Sequence, residues 1–309
     1  MNGAVNKLIF AIIVTYNGLK WYDRCFGCLR CSTVPVTPVV IDNASSDGSV
    51  AYIREHFPEA VVLEQKENLG FAKANNVGMR YALDHGADYV FLLNQDAWLV
   101  QEDCLEQMVA ISEAHPEYAI LSPMQLYGDG EHIVSESKLY AARRNDMSND
   151  WISDAYFHRL KDLYEVQYVC AASWLMPVNT LKTIGGFDPL FYHNGEDDNY
   201  MQRVHYHGMK VGICPKVNVC HDCGGRTADY NAQTLDWRKY LLIQYCNINW
   251  GVNFDALLKS KRRTIFFQRL RLNRKLLKES LPEYRYLKEM RIQIERSRRQ
   301  NKIKGENWL

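Results

Sequence analysis

Short runs of β-branched and aliphatic residues alternate with amphipathic segments through the first 126 residues. The apolar runs predict strands over 8–16, 37–42, 60–64, 89–93 and 118–126. The segments between them predict helices over 19–30, 46–57, 70–85 and 102–115. Apolar strands separated by helices are typical of a parallel sheet covered on both faces. We therefore predict an α/β fold of nucleotide-binding type, with functional groups at the carboxyl ends of its strands.

The second half of the chain is less regular. Residues 128–161 are polar and lack a period, which predicts an irregular loop or lid. Order returns over 166–176, and a Gly185-Gly186 turn, a helix beginning near Gly195 and a strand over 211–219 follow. That strand leads into His221.

The composition is that of an ordinary globular protein, with 47% hydrophobic and 24% charged residues among 309. No apolar run approaches the roughly 20 residues that a membrane helix needs. The first residues also lack the basic region and cleavage site of a signal peptide. We therefore expect a cytoplasmic protein.

Charge is distributed unevenly along the chain. Residues 256–309 carry 17 Lys or Arg against 5 Glu, whereas the preceding residues carry 20 basic against 31 acidic side chains. The basic segment also contains apolar residues at helical spacing, so it predicts a helical extension. It could lie peripherally on an anionic membrane, or pack through its apolar stripe on the body or on an oligomer partner. No nucleic-acid-binding module is recognisable, so we expect no nucleic acid partner.

Nine cysteines include a C-x2-C-x2-C run at Cys25, Cys28 and Cys31 and a C-x2-C pair at Cys220 and Cys223. The first run lies in a predicted helix, and its spacing matches no familiar cluster signature. We expect reduced thiols that serve as small buried side chains rather than a structural metal site.

The turn after the first strand argues against a dinucleotide or P-loop site. It reads Thr15-Tyr16-Asn17-Gly18, without the three glycines of G-x-G-x-x-G, and no G-x4-G-K-[ST] occurs elsewhere. Polar groups instead follow the later strands, in the segments Asp42-Asn43-Ala44-Ser45-Ser46-Asp47-Gly48-Ser49, Glu67-Asn68-Leu69-Gly70-Phe71, Asn75-Asn76 and Leu93-Asn94-Gln95-Asp96.

These four segments, in this order, resemble the family 2 glycosyltransferases of GT-A fold, most closely their rhamnosyltransferase-like branch. The resemblance continues through Gly185-Gly186-Phe187-Asp188, Glu196-Asp197, Arg203 and His221 with Gly224, and covers most of 8–225. It departs from the family at Asn194, where an aromatic is frequent, and at Asn199, where a further Asp is frequent. These two positions are expected to face the acceptor.

The resemblance implies a nucleotide-sugar site and a metal site. It assigns the donor to Thr15, Tyr16, Asn17, Asp42, Asn43, Asn68, Gly70, Asn75, Asn94, Gln95 and Asp96. Asp96 would bind Mg²⁺ or Mn²⁺ with His221 as a second ligand, because hard cations prefer oxygen and share their shell with phosphates. Asp42, Asn43 and Asp47 would also suit any strand-to-helix turn, since such side chains cap helices.

Three adjacent acids at Glu196, Asp197 and Asp198 suit the first turn of a helix. Successive helical positions are rotated by about 100°, so at least one carboxylate must face inward, where burial and like charge raise its pKa as a general base requires. The resemblance assigns the base to Asp197, with Glu196 orienting it or contacting the donor sugar. Arg203 would either pair with these acids or be structural.

These features predict a metal-dependent inverting glycosyltransferase of surface polysaccharide synthesis, with a dTDP- or UDP-sugar donor and a saccharide or lipid-linked acceptor. The alternative is a non-catalytic adaptor of the same fold that works through its basic extension. We expect a glycosyltransferase domain over 1–255, with a nucleotide-binding half at 1–126 and an acceptor half at 127–255, followed by the extension at 256–309.

Overall fold

The structure, a computed structural model, describes residues 7–134, 150–192, 194–223 and 236–309. Its strands are β1 Ile9–Thr15, β2 Val36–Asp42, β3 Val61–Glu64, β4 Tyr89–Leu93, β5 Ala97–Leu99, β6 Tyr118–Tyr127, β7 Tyr164–Val166, β8 Ser173–Pro177 and β9 Lys210–His221. Its α-helices are α1 Tyr22–Arg30, α2 Ser49–His56, α3 Gly70–Asp84, α4 Cys104–Ala114, α5 Trp151–Tyr156, α6 Val178–Ile184, α7 Glu196–Tyr206, α8 Trp237–Cys246, α9 Phe254–Leu270 and α10 Arg274–Asn301. A short 3₁₀ helix, Leu19–Trp21, precedes α1.

Within these ranges the nine strands form one mixed sheet in the order β3-β2-β1-β4-β8-β6-β9-β5, and β7 pairs with β9. The pairings place β1, β2, β3, β4, β6 and β9 in one direction, with β5, β7 and β8 opposed to them. The mostly parallel α/β sheet with flanking helices that the sequence predicts is confirmed.

Hydrophobic clusters cover both faces of the sheet. Side chains of β1 alternate between them, with Ile12 in the cluster under α3 and Ile13 in the cluster under α1. Both are fully buried. Helix α3 lies very close to the sheet, since a Cβ at Gly78 would stand 2.4 Å from Ile12 Cγ2. The strand ends are thereby held between two packed layers.

The regular elements of the first half lie where the hydrophobic pattern predicts them, to within three residues at most ends. The pattern did not predict the short elements β5, β7 and α5. Three-residue strands carry too few positions to show an alternation of apolar and polar residues. Residues 135–149 of the predicted lid lie outside the described residues, as does Gly224.

The basic extension contains the antiparallel helices α9 and α10, and the end of α10 packs on the body. Ser297 Oγ and Asn301 Nδ2 donate to Asp188 Oδ2, at 2.6 and 2.9 Å. The buried Arg298 guanidinium donates to the carbonyls of Tyr245, Asn247 and Trp250. Packing on the body, one of the two alternatives for this segment, is therefore observed at the end of α10. The division after residue 255 stays a prediction.

The last residues close over the Gly185-Gly186 turn. The amide of Gly186 donates to Asn307 O at 2.8 Å, and a Cβ at Gly185, which has φ +82°, would stand 2.1 Å from the same carbonyl. Asn76 Nδ2 donates to Trp308 O at 3.0 Å. Glycine is needed here because the C-terminal backbone occupies the space of a side chain.

None of the helices in the described ranges is both long enough and apolar enough to cross a bilayer.

Candidate functional site

A cleft of about 1050 Å³ opens at the carboxyl ends of the parallel strands. One wall comes from the first half of the chain and carries Val14, Tyr16, Trp21, Asn43, Asn68, Gly70, Phe71, Asn94, Gln95 and Asp96. The other wall carries Cys170, Ala171, Ala172, Leu190, Phe191, Tyr192, Asn194, Glu196, Asp197, His221, Asp236, Arg238, Lys239, Leu242 and Tyr286. This is the position at which open α/β sheets bind ligands.

The ends of β1 and β2 are tied together beneath the cleft. Thr15 and Asp42 are adjacent in the parallel register, and Thr15 Oγ1 donates to Asp42 Oδ1 at 3.1 Å. Asp42 Oδ2 accepts from the amide of Ser45 at 2.9 Å. Asn17 Oδ1 accepts from the amide of Ser46 at 2.9 Å. These bonds shape the two loops, so the turn-forming role of these residues is observed.

Asn43 and Asn68 fix the start of α3, and Gly70 lets the second wall approach it. Asn43 Oδ1 accepts from the amide of Leu69 at 3.2 Å, which holds the start of α3 against the β2 loop. Asn68 Oδ1 accepts from the amide of Gly70 at 2.9 Å. Gly70 has φ +75°, and a Cβ there would stand 2.4 Å from Tyr192 O. Glycine thus permits the backbone of the second wall to approach the first.

Gln95 braces the loop after β1. Its Oε1 accepts from the amide of Tyr16 at 2.9 Å, and its Nε2 donates to Tyr16 O at 3.2 Å. The preceding residue, Asn94, is held to the neighbouring strand by its amide, which donates to Ala172 O at 2.9 Å. The segment after β4 is therefore fixed on both sides, which positions Asp96.

Asp96 and His221 face each other at the cleft, with 3.5 Å between Oδ1 and Nε2. The antiparallel pairing of β5 with β9 brings them together, and the amide of Asp222 donates to Asp96 O at 2.9 Å. Burial lowers the pKa of His221, but hydrogen bonds with Asp96 and Cys223 outweigh it and raise that pKa to about 9.

The pair fits a divalent cation that shares its shell with a ligand. A carboxylate and an imidazole are both suitable donors, and Mg²⁺ or Mn²⁺ completes its shell with phosphate oxygens and water. No cluster of three or more His, Cys, Asp or Glu suited to a metal occurs among the described residues. A cation at Asp96 and His221 would thus depend on ligand oxygens for most of its shell.

Glu196 and Asp197 form an acidic pair at the start of α7, across the cleft. Burial, followed by repulsion from Asp197, raises the pKa of Glu196 to about 8. Burial also raises the pKa of Asp197, and hydrogen bonds from the Tyr168 hydroxyl and the amide of Asp198 oppose that rise. Glu196 Oε2 has no hydrogen-bond partner among the described residues.

The surroundings favour the charged form of Asp197 more than that of Glu196. Its carboxylate is stabilised by two donors, whereas Glu196 lacks comparable bonds and its pKa of about 8 lies above neutrality. The positive charge of Lys239 on α8 acts in the opposite direction and lowers the pKa of Glu196. Glu196 thus holds a proton at neutral pH, and the two donors favour the charged form of its neighbour Asp197.

The structure brings most of the predicted site residues into the cleft. Tyr16, Asn43, Asn68, Gly70, Asn94, Gln95, Asp96, Glu196, Asp197 and His221 line it. Thr15, Asn17 and Asp42 lie in the supporting loops instead, and Asn75 donates within α3 to Phe71 O at 3.0 Å. These four have no place among the lining residues.

Sequence reasoning missed the contribution of the C-terminal helices. Arg238 and Lys239 on α8 and Tyr286 on α10 line the second wall, although they follow Asp197 by at least 41 residues. Tyr168, which donates to Asp197, was also missed. No local motif marks these residues, since their placement results from the packing of α8 and α10 around Phe191.

Other residues with two possible roles are resolved by burial. Arg203 is 1% exposed and donates to the carbonyls of Gly186 and Ile184, so it supports the glycine turn and forms no ion pair with the acids. Trp174 is fully buried against Phe187 and Tyr200.

Two positions at which the sequence departs from the family pattern lie in different places. Asn194 lines the cleft, as expected of a residue that faces the acceptor. Asn199 lies on the buried face of α7, is 1% exposed and is not among the lining residues.

All nine cysteines lie within the described ranges, and no disulfide joins any two of them.

The family model described as glycosyl transferase family 2 matches residues 10–184. Galactofuranosyltransferase GlfT1 of Mycobacterium tuberculosis is 26% identical over 226 residues, which are 71% of this chain and 72% of the relative. The dTDP-rhamnosyl transferase RfbF of Shigella flexneri is 21% identical over 267 residues, which are 85% and 86% of the two chains.

Among solved structures, the mannosyltransferase PcManGT from Pyrobaculum calidifontis, in complex with GDP-Man and Mn²⁺, has a TM-score of 0.55. The match covers 85% of this chain and 65% of that chain, at 18% sequence identity. At this identity the likeness concerns the fold, which is the GT-A fold.

Proposed function

The chain belongs to glycosyl transferase family 2, and on that premise we propose that it is a metal-dependent inverting enzyme that transfers rhamnose or a related hexose. That it is a glycosyltransferase using nucleotide-sugar donors follows from the family. We assign the acceptor to a saccharide or lipid-linked saccharide of surface polysaccharide synthesis, and the basic extension to an anionic membrane surface.

One observation carries the proposal. Asp96 with His221 and Asp197 with Glu196 line the same cleft and come from different elements of the chain. A transfer reaction needs both functions, one for the departing diphosphate and one for the attacking hydroxyl. Their convergence argues against a non-catalytic adaptor, which would require neither.

Asp96 and His221 are assigned to Mg²⁺ or Mn²⁺. When bound, the cation would neutralise charge on the leaving diphosphate. The protein's own residues shape the site: Gln95 holds the loop after β1, and Asn43 and Asn68 hold the start of α3. These loops position the nucleoside, and the carboxylate of Asp96 faces the diphosphate. The mannosyltransferase neighbour with GDP-Man and Mn²⁺ supports this assignment.

Asp197 is assigned as the general base. Its carboxylate accepts the proton of the acceptor hydroxyl while that oxygen attacks the anomeric carbon from the side opposite the nucleotide. The carbon–oxygen bond to the diphosphate breaks as the new one forms, so the configuration inverts without a covalent intermediate. Glu196, protonated near neutrality, can donate a hydrogen bond to a sugar oxygen and keeps the second negative charge out of the pair.

The donor is assigned to the dTDP or UDP type. RfbF, named as a dTDP-rhamnosyl transferase, matches over 85% of this chain, which favours dTDP-rhamnose. Asn43 and Asn68 bring side-chain amides to the cleft, and Gly70 brings backbone polar groups. Groups of these kinds can form the hydrogen bonds that a pyrimidine nucleoside needs.

Calorimetric titration of dTDP, UDP and GDP in Mn²⁺, and then in EDTA, tests this assignment. We expect one pyrimidine diphosphate to bind at least tenfold more tightly in Mn²⁺, because the cation bridges carboxylate and diphosphate. Turnover of the matching sugar nucleotides then identifies the sugar. Preference for GDP, or equal affinity in Mn²⁺ and EDTA, would contradict the donor or the metal assignment respectively.

Replacing Tyr168 with Phe tests the base through its pH dependence. The hydroxyl stabilises the Asp197 carboxylate, so the pKa of Asp197 rises without it. Because the base acts deprotonated, the acid limb of the kcat profile should move to higher pH, by about one to two units for a charged hydrogen bond of roughly 1.5–3 kcal/mol.

Tyr164→Phe is the matched control. It removes a similar bond, 2.8 Å from Tyr164 Oη to Asp154 Oδ2, outside the cleft. The control should leave the limb in place. A uniform loss of kcat at every pH in Tyr168→Phe would show that Tyr168 acts through folding alone.

A further inference from the structure

An apolar and basic surface is exposed where α9 meets α10. We define the hairpin tip as residues 266–278. Every residue from 269 to 276 is exposed, and Leu272 is 82% exposed. The exposed large apolar side chains of the tip are Phe266, Phe267, Leu270, Leu272 and Leu276. The basic ones are Arg269, Arg271, Arg274, Lys275 and Lys278.

The tip is an ordered turn of structure, unlike a free tail. Asn273 Oδ1 accepts from the amide of Leu276 at 3.2 Å and so caps α10. Gln268 Nε2 donates to Ser280 Oγ at 3.0 Å, and Lys261 pairs with Glu283 at 2.7 Å, which joins the two helices. The inner face of α9 is buried at Ile265, so the exposed phenylalanines and leucines project from the outer faces and the turn.

Charge determines which partner suits this surface. Residues 256–278 contain nine Lys or Arg and no Asp or Glu. A bilayer with anionic lipids can bury the phenylalanines and leucines of the tip in its apolar interior. Its negative headgroups attract the cations of the tip. We infer that the hairpin tip is the surface by which the protein docks on an anionic membrane.

The base of the same hairpin reaches the cleft. Tyr286 on α10 lines the second wall of the cleft. It follows Arg274 by twelve residues, which is a rise of about 18 Å along the helix. The end of α10 is held on the body by Asp188 and by the buried Arg298. With the tip docked, Tyr286 therefore lies no more than about 18 Å along α10 from the residues that contact the bilayer. This distance suits a membrane-embedded lipid whose saccharide head enters the cleft, an inference that rests on the proposed function.

Vesicle co-sedimentation of the full-length protein tests the surface. The vesicles are phosphatidylcholine alone, or equal parts phosphatidylcholine and phosphatidylglycerol. Wild type should bind the anionic vesicles, and less so at high salt, since screening weakens the attraction. Arg269→Gln, Arg271→Gln, Arg274→Gln and Lys275→Gln together should lower the partition coefficient about a thousandfold.

The matched charge control is Arg285→Gln, Lys288→Gln, Arg296→Gln and Arg299→Gln, four exposed cations on the same helix. They lie at least about 16 Å along the helix from Arg274, beyond the Debye length of about 8 Å. This variant should retain most of the binding. Equal loss in both variants would show a diffuse charge effect and would overturn the assignment to the tip.

A second pair of variants tests the apolar part. Phe266→Ser, Leu270→Ser and Leu272→Ser should lower binding at least tenfold, by removing buried apolar area. Phe157→Ser, Ile292→Ser and Ile303→Ser replace side chains equally exposed elsewhere and should change it little.

Two results would overturn the inference. One is that wild type fails to bind anionic vesicles. The other is that light scattering shows a dimer that only the tip variants convert to monomer, since the surface would then contact a second copy. Calorimetric binding of nucleoside diphosphate is measured on every variant. If wild type does not bind nucleoside diphosphate, the proposed function is contradicted. If wild type binds nucleoside diphosphate but not anionic vesicles, only the inference about the membrane surface is contradicted.

Discussion

Replacing Asp197 with Asn should lower kcat by about 10²- to 10⁴-fold, the range lost with a general base. Asparagine keeps the size of the side chain: its Oδ1 can still accept from the amide of Asp198, and its Nδ2 can donate to the Tyr168 hydroxyl oxygen, so the start of α7 should keep its geometry. Nucleoside diphosphate affinity should stay within a few-fold, because Asp197 is assigned to the acceptor hydroxyl and not to the nucleotide or its cation. Transfer kinetics and calorimetry measure the two quantities.

The neighbouring acid provides the control for this experiment. Asp198→Asn removes a carboxylate one position further along the same helical turn, and Asp198 does not line the cleft. It should reduce kcat by no more than a few-fold. Near-normal transfer by Asp197→Asn, or an equal loss in both variants, would contradict the assignment of the base to Asp197.

Replacing Asp96 with Ala should remove the metal-dependent part of nucleoside diphosphate binding. The carboxylate is the oxygen ligand proposed for the cation, so affinity in Mn²⁺ should fall at least tenfold and approach the affinity measured in EDTA. In EDTA the variant and wild type should bind alike. His221→Ala should have the same effect on affinity in Mn²⁺. The double variant should lose less binding free energy than the two single variants together, because both residues bind one ion.

A second Asp–His pair in the chain allows a matched control. Asp129 Oδ2 and His132 Nδ1 lie 2.8 Å apart on the surface, outside the cleft. Asp129→Ala removes a carboxylate from this pair and should leave nucleotide binding unchanged in Mn²⁺ and in EDTA. An Asp96→Ala variant that retains the full Mn²⁺ effect would show that the cation is held elsewhere.

The site joins parts of the chain that carry different kinds of information. The residues of the first wall can be predicted from the sequence, because each parallel strand brings the polar segment that follows it to the same edge of the sheet. Asn68, Gly70 and Asp96 are found in this way. The second wall is assembled from α7, α8, α10 and the loop before β8, whose mutual placement has no local signature. Lys239 and Tyr286 were therefore missed.

The structure also separates lining residues from supporting ones. Asn75 and Asp42 stand in motifs as prominent as that of Asn68, yet one hydrogen-bonds within α3 and the other accepts from Thr15 and Ser45. Arg203 could be placed beside the acids by its spacing on α7, but it points to the glycine turn. A motif gives residue types and spacing along the chain, whereas the direction of a side chain depends on what packs around it.

The amino-acid sequence alone determined the order of strands and helices in the first half, the parallel character of the sheet and the chemistry at its carboxyl edge. Periods of two and 3.6 residues and the polar groups that end each strand are local properties. Tertiary packing decided which of those groups reach the cleft. It also decided that Asp197 rather than Glu196 accepts hydrogen bonds from Tyr168 and the amide of Asp198, and that α10 anchors the extension while its tip remains exposed. These outcomes depend on burial and on contacts between residues up to 232 positions apart, such as Asn76 with Trp308.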